Sequence, residues 1–403
     1  MTGSAPLVEL AASIAVDVLA PRARAVDRAG AYPAHNLRAL HDAGLMAVFL
    51  PRELGGHSVT VQTYGAIAAA LAEECASTAM VWAMHGQQVI TLLEHGGATH
   101  RQWLERAGRQ GFTIGSVTTD TRGGADLFAT GDALVPEGDR LRVTRTAPVV
   151  TGGASSGCYL VSMRAHPDAA LSDSRLVLVD PADGLIEEKG SWDALGMRGT
   201  HSVPMRIDAV IDHDRVLSAA FSRIAAETLV PVGHVGWASV WLGAMRGAAE
   251  RVRAAIRARR LKAGGATSDL LLSRLAEVRL SIDLLTAMIR SVAQDADEAL
   301  ARRRAGVPAE PLDPVRVNSL KLAGSRLALK TANLLVEIGG MRDGYLCTSD
   351  LALERTLRDV RSASLMFHND RLLQANGRLV LIGSAGLVGL SDTAQRNAQA
   401  GSS

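Results

Sequence analysis

Aromatic residues are scarce in this chain, at 3% of 403 residues, and there are three cysteines, Cys75, Cys158 and Cys347, far apart from one another. The first shortage argues against aromatic stacking platforms for single-stranded nucleic acid. The second leaves no CxxC pair and no metal-ligand spacing, and it fits a reducing compartment better than a disulfide scaffold. Charge of either sign is not in excess: 43 Lys plus Arg stand against 41 Asp plus Glu, a formal net charge of +2. No basic block marks a nucleic-acid partner. No apolar run reaches the roughly 18 residues that would span a bilayer, and the first residues lack a charged segment leading into an apolar one. The expectation is a cytoplasmic protein with no nucleic-acid and no membrane partner. The eleven histidines form no HExxH and no metal triad, so no metal is expected.

What the chain does have is apolar bulk, 47% of its residues, dominated by Ala, Leu and Gly. Ala and Leu favour helix, and the length suffices for two or three cores. Helical spacing covers 7–29, 33–43, 61–75, 78–93 and 101–108, with the turn PRELGG at 51–56, giving an all-helical first domain over 1–111. From 112 to 221 the pattern changes to short alternating runs rich in β-branched residues, such as CYLVSMR and SRLVLVD. No helix of crossover length separates them, which points to a compact barrel-like β domain rather than a parallel sheet. Four long helices follow, at roughly 226–259, 270–302, 315–338 and 349–376, parted by Gly- and Pro-rich breaks. They make a four-helix bundle over 222–381 whose length leaves a broad face for a homodimer or homotetramer. The small-residue tail 382–403 is expected to fray.

Five segments in this order resemble the acyl-CoA dehydrogenase superfamily: PRELGG at 51–56, GFTIGSVTTDTRGGADL at 111–127, GMRGTHS at 196–202, EIGGMRDGY at 337–345 and RTLRDVRS at 355–362. The resemblance covers about residues 7–381. It implies that family's fold, with an N-terminal helical domain, a β-barrel-like domain and a C-terminal four-helix bundle, built around FAD. It implies cofactor contacts from Thr118, Thr119, Thr151 and Gly152 at strand ends, and from Gly339 and Gly340, where backbone must approach closely. Arg260 stands where many relatives have an arginine reaching a neighbouring subunit's FAD, but the Phe-Gly pair that follows it in them is absent from IRARRLKAGGATSD. That absence suits weak retention, with reduced FMN or FAD as a diffusible co-substrate.

The chemistry implied first is oxidation of an acyl thioester CH–CH bond, with CoA or a carrier protein as the carrier and an electron-transfer flavoprotein as electron acceptor. It needs a base for the α proton. In the family that base is a glutamate after the Arg-Asp segment, yet LMFHNDRLLQANGR at 365–378 holds no Glu and puts Phe367 in its register. The other family location falls near Trp237 and offers no carboxylate either. The alternative is a two-component flavin-dependent monooxygenase, fed by a flavin reductase and acting with O2 on an aromatic or heteroatom substrate. A homologue without catalysis is a third reading. The monooxygenase branch uses histidines, and His85 and His368 are the catalytic candidates, with His201 of the GMRGTHS segment near the cleft. His85 fits a core histidine equally well. Trp82, Asp126, Trp192, Trp237 and Phe367 complete the expected substrate pocket, although Trp82 and Trp237 also fit plain core packing.

Overall fold

The computed structural model describes residues 4–119, 127–263 and 267–382. Five helical segments come first: α1 (Ser4–Ile14), α2 (Ala20–Ala29), α3 (Ala34–Asp42), α4 (Val61–Ala72) and α5 (Ala76–His95), with α6 (Ala98–Gln110) closing the region. A π turn at Ala15–Leu19 joins α1 to α2, so the first helical stretch is continuous, as its periodicity predicts. Each end has its chemical cause. Gly30 stops α2 in a left-handed conformation, and Thr60 starts α4 by accepting the Thr63 N–H on its side chain.

Seven strands follow: β1 (Ile114–Val117), β2 (Val135–Glu137), β3 (Arg140–Val150), β4 (Cys158–Arg164), β5 (Ser174–Val179), β6 (Gly184–Glu188) and β7 (Val203–Ile211). They form two sheets rather than a closed barrel. One has the order β1-β4-β5 and the other β2-β3-β7-β6. The second sheet is antiparallel throughout, whereas β1 pairs in parallel with β4. Both sheets feed one core, in which Val117, Val161 and Val177 of the first meet Val143, Val150 and Ile207 of the second. Alternation along β3 and β7 supplies those inward residues, the pattern of strands with one face solvated.

The chain then returns to helix through α7 (Phe221–Ile224), a π turn at Ala225–Leu229, and α8 (Val230–Ala263). Next come α9 (Asp269–Arg304), α10 (Pro314–Gly340), α11 (Leu353–Arg361) and α12 (Asn369–Ile382). The fourth long helix expected over 349–376 is thus two helices. It breaks after Arg361 into a 3-10 turn and a loop in which Phe367 takes a φ of 47°. A non-glycine residue there is uncommon.

Helix α8 is the axis of the molecule, packed by α4, α5, α9, α10 and α11. Its contact with α4 is backbone-close. A Cβ on Gly243 or Gly247 would lie 2.0 Å from the carbonyl oxygens of Ala69 and Glu73 respectively. The Arg-Asp segment links α11 to the rest. Arg358 forms a forked pair with Asp27 at 3.0 and 2.7 Å, and Asp359 accepts the Met197 N–H at 2.6 Å. Burial pushes the Asp359 carboxyl up to about 6. No described helix is long and apolar enough to cross a membrane.

Candidate functional site

Two groups of residues carry the candidate chemistry, one at two strand ends and one at the helix break. At the β end, Thr119 follows β1 and donates its Oγ1 to Val149 O at 3.2 Å. Fully buried Arg145 donates to Thr119 O at 2.9 Å and so pins that strand end. β3 shifts register against β7 between Ala147 and Val150, and Val149 is left 41% exposed. Beyond it Thr151 shares a hydrogen bond with Ser202 at 3.0 Å, and Gly152 turns the chain at a φ of 87°. Hydroxyls beside an uncovered apolar side chain suit a flat ring with polar edges.

At the helix break, His234 and Trp237 lie three residues apart on α8, hence on one face. The His234 ring centroid is 5.5 Å from Trp237 and 6.4 Å from Phe367. Nδ1 of His234 lies 3.1 Å from Val317 O on α10, an acceptor only, so Nδ1 carries the proton. Nε2 is then a lone-pair acceptor, with no hydrogen bond among the described residues. Trp237 Nε1 is buried and likewise without a partner. Lys321, fully buried on α10, donates to Phe367 O at 2.9 Å and to Asn369 Oδ1 at 2.8 Å. Burial lowers His234 to about 4 and Lys321 to about 7. The Lys321 charge adds to the lowering of His234, and no carboxylate offsets either shift. Two buried titratable groups, His234 and Lys321, thus stand beside the Phe367 turn, and the nearby acid, exposed Asp370, pairs with His368.

The other expected residues are placed as follows. His85 is 3% exposed, with Nε2 3.0 Å from Met46 O and Nδ1 accepting the Ile114 N–H at 3.1 Å. Both ring nitrogens are spent on main chain, and burial lowers the group to about 4. His368 is exposed, and its Nδ1 lies 3.6 Å from exposed Asp370. No described contact joins the two histidines. Trp82 is core: it is 1% exposed, donates to Leu45 O at 2.8 Å and stacks on Tyr64. Trp192 donates to Met197 O at 3.0 Å and braces its own turn. His201 meets Glu188 at 3.1 Å. Asp126 lies outside the described residues. Arg260 is exposed and touches none of the other predicted site residues, while its neighbour Arg259 pairs with Asp343. A Cβ on Gly339 would crowd Gly344 N at 2.8 Å, and Gly340 has a φ of 62°, so the turn itself explains both glycines.

The sequence reading passed over His234 and Lys321. Their signal was weak: His234 opens the mostly apolar HVGWASVWLG, and Lys321 is one of three basic residues in SLKLAGSRLALK, so neither stands out until the partners are seen.

The acyl-CoA dehydrogenase N-terminal domain model matches residues 5–114, and the C-terminal domain model of the same family matches 223–367. The chain belongs to the acyl-CoA dehydrogenase family. It is an acyl-CoA dehydrogenase-like flavoprotein, a flavin-dependent oxidoreductase. Cyclohex-1-ene-1-carbonyl-CoA dehydrogenase of Syntrophus aciditrophicus is 26% identical over 48% of this chain, and that match spans about half, 47%, of the relative's length. A probable FMNH2-dependent monooxygenase, SfnC of Pseudomonas putida, is 23% identical over 84% of this chain and 86% of its own. The solved structure of FMN-bound TdsC from Paenibacillus sp. A11-2, a dibenzothiophene monooxygenase, superposes with a TM-score of 0.80 at 20% identity, over 93% of this chain and 97% of that one. The residues here fit a flavin: Thr118, Thr119, Val149 and Thr151 offer hydroxyls and an apolar face, and Trp237 Nε1 is a buried donor without a protein acceptor.

Proposed function

We propose that this family member is the oxygenase component of a two-component flavin monooxygenase, taking reduced FMN or FAD from a separate reductase and acting with O2 on an aromatic or heteroatom substrate. The observation that carries the reading is the turn at Phe367: the position that the resemblance gives to the base holds a phenyl ring, tilted 6.4 Å from the His234 ring, and no carboxylate offsets the lowering of His234 or Lys321. Removing an α proton from a thioester calls for such a base.

The flavin supplies two-electron redox chemistry and, reduced, reactivity toward oxygen. Thr118, Thr119, Val149 and Thr151 would hold its ring. His234 keeps a neutral imidazole with Nε2 free of protein partners among the described residues, fixed by its bond to Val317 O, and so can orient a phenol or other hydroxyl by accepting its hydrogen bond. Phe367 and Trp237 flank the His234 ring with apolar surface. Lys321 holds the Phe367 turn from below. The predicted catalytic pair becomes His234 with His368 at the rim, and His85 keeps a structural duty.

Oxidation of an acyl thioester CH–CH bond, with an electron-transfer flavoprotein as acceptor, remains the second reading on one observation. A cavity of about 890 Å³ at the start of α8 is lined by Arg101, Arg223, Arg303 and Arg304, charge of the sign that meets CoA phosphates. Glu227 and Glu94 already engage the last three. The exposed Leu270, Leu272, Leu280 and Leu284 of α9 support a homodimer or homotetramer.

The deciding experiment mixes the purified chain with photoreduced FMN or FAD without oxygen, then adds O2 and an aromatic or heteroatom substrate in a stopped-flow cell. An oxygenated product is expected. Anaerobic bleaching of bound flavin by an acyl-CoA would overturn the reading in favour of dehydrogenation. Blanks in both assays would support the non-catalytic homologue.

A further inference from the structure

Four segments meet around a second concavity of about 480 Å³: Arg24, Asp27 and Arg28 at the end of α2, the turn Ala194, Leu195 and Arg198, Cys347, and Ala352, Glu354, Arg355 and Arg358 at the start of α11. Small-molecule sites run to about 300–1,000 Å³, so the size suits one. Five arginines line it against two carboxylates.

The bonding sorts these arginines into two sets. Arg358 takes both carboxylates, with Asp27 at 2.7 and 3.0 Å and Glu354 at 2.7 Å. Arg198 serves the carbonyls of Asp27 and Ala194 and the exposed Asp193. These two hold the chain together. The remaining three have no lining carboxylate left. Arg24 bonds Ser349 O at 2.9 Å and has its one acidic neighbour, fully exposed Asp350, at 3.6 Å. Arg355 reaches Glu74 O at 3.4 Å. Arg28 is exposed and has no partner among the described residues. Carbonyls satisfy N–H groups without cancelling charge, and the carboxylates that answer Arg24 and Arg355, Asp350 and Asp359, lie outside the lining. A structural duty accounts for Arg198 and Arg358 and leaves the lining with three more guanidinium groups than carboxylates.

We propose that this concavity binds a small molecule through a phosphate or equivalent dianion. Arg24, Arg28 and Arg355 are its cationic contacts, and Ala194 and Leu195 receive its organic part. Guanidinium forks match phosphate oxygens two at a time, which a lysine cluster would not.

Inorganic pyrophosphate, titrated calorimetrically into the full chain at low salt, is the probe. One saturable site is expected. Arg28→Glu should weaken it about tenfold or more, the loss of a charge-assisted contact, with an unchanged melting temperature because Arg28 has no partner to lose. Arg28→Lys should retain it within about threefold. Arg326→Glu, at an exposed position of α10, should leave it untouched. No binding, or equal weakening by the substitutions at 28 and 326, would overturn the proposal. Repeating the titration with FMN present separates the sources: competition identifies the flavin's own phosphate as the ligand, and indifference identifies a different phosphorylated molecule.

Discussion

His85 and His234 are both buried, both lowered to about 4, and both set in apolar helices, yet they have opposite prospects. His85 spends its two nitrogens on Met46 O and Ile114 N and ties α5 to the first strand. His234 spends one, on Val317 O, and its ring lies near Trp237 and Phe367. Burial and a perturbed titration therefore do not distinguish the two. The count of engaged nitrogens does, and it is the basis of the role proposed for His234.

The largest way to break that comparison is kinetic. His234→Leu should lower turnover about 10- to 10²-fold, because a substrate hydroxyl would lose its acceptor in a buried setting, with a small change in melting temperature. Steady-state kinetics of both variants decide it, and equal rate losses for His85 and His234 substitutions would erase the distinction. The next effect is on folding. His85→Ala strands the Ile114 N–H and the Met46 carbonyl and should cost about 2–4 kcal/mol in urea unfolding.

Third is a shared pH signature. Both groups fold with pKa values below the usual 6.5, so the unfolded chain binds more protons between about 4 and 6.5. Their contribution to stability is fully present above 6.5 and is lost as pH falls toward 4. Unfolding midpoints across that window should fall with acid, and less steeply in His85→Gln. The smallest effect concerns Lys321, lowered from 10.5 to about 7. The unfolded chain holds that proton more readily between those values, so stability should rise with pH above 7. Lys321→Met should flatten the rise.

The helical and β regions were legible from periodicity and from Gly and Pro breaks, because those follow local rules. The Arg-Asp and GMRG segments were legible singly, through resemblance, and the structure makes them partners, with Asp359 accepting the Met197 N–H. Two features were not. The split of the last bundle helix depends on Lys321, 46 residues upstream of Phe367, gripping that residue's carbonyl. The parallel pairing of β1 with β4 depends on packing between sheets that no strand carries alone. Register placed Phe367 and Trp237 in the expected pocket, and both lie near His234; Trp82 follows its other reading, core packing, because an apolar helix offers a tryptophan either face.

The grip on Phe367 acts on its carbonyl oxygen and not on its ring. Whatever side chain stands at 367, the same bond can form, provided the residue tolerates a left-handed turn, which disfavours β-branched ones. The scaffold thus separates where a reactive group is carried from what that group is. A single codon there can be rewritten while both flanking helices keep their anchors, which makes position 367 a natural point for one ancestral architecture to diverge into new reactions.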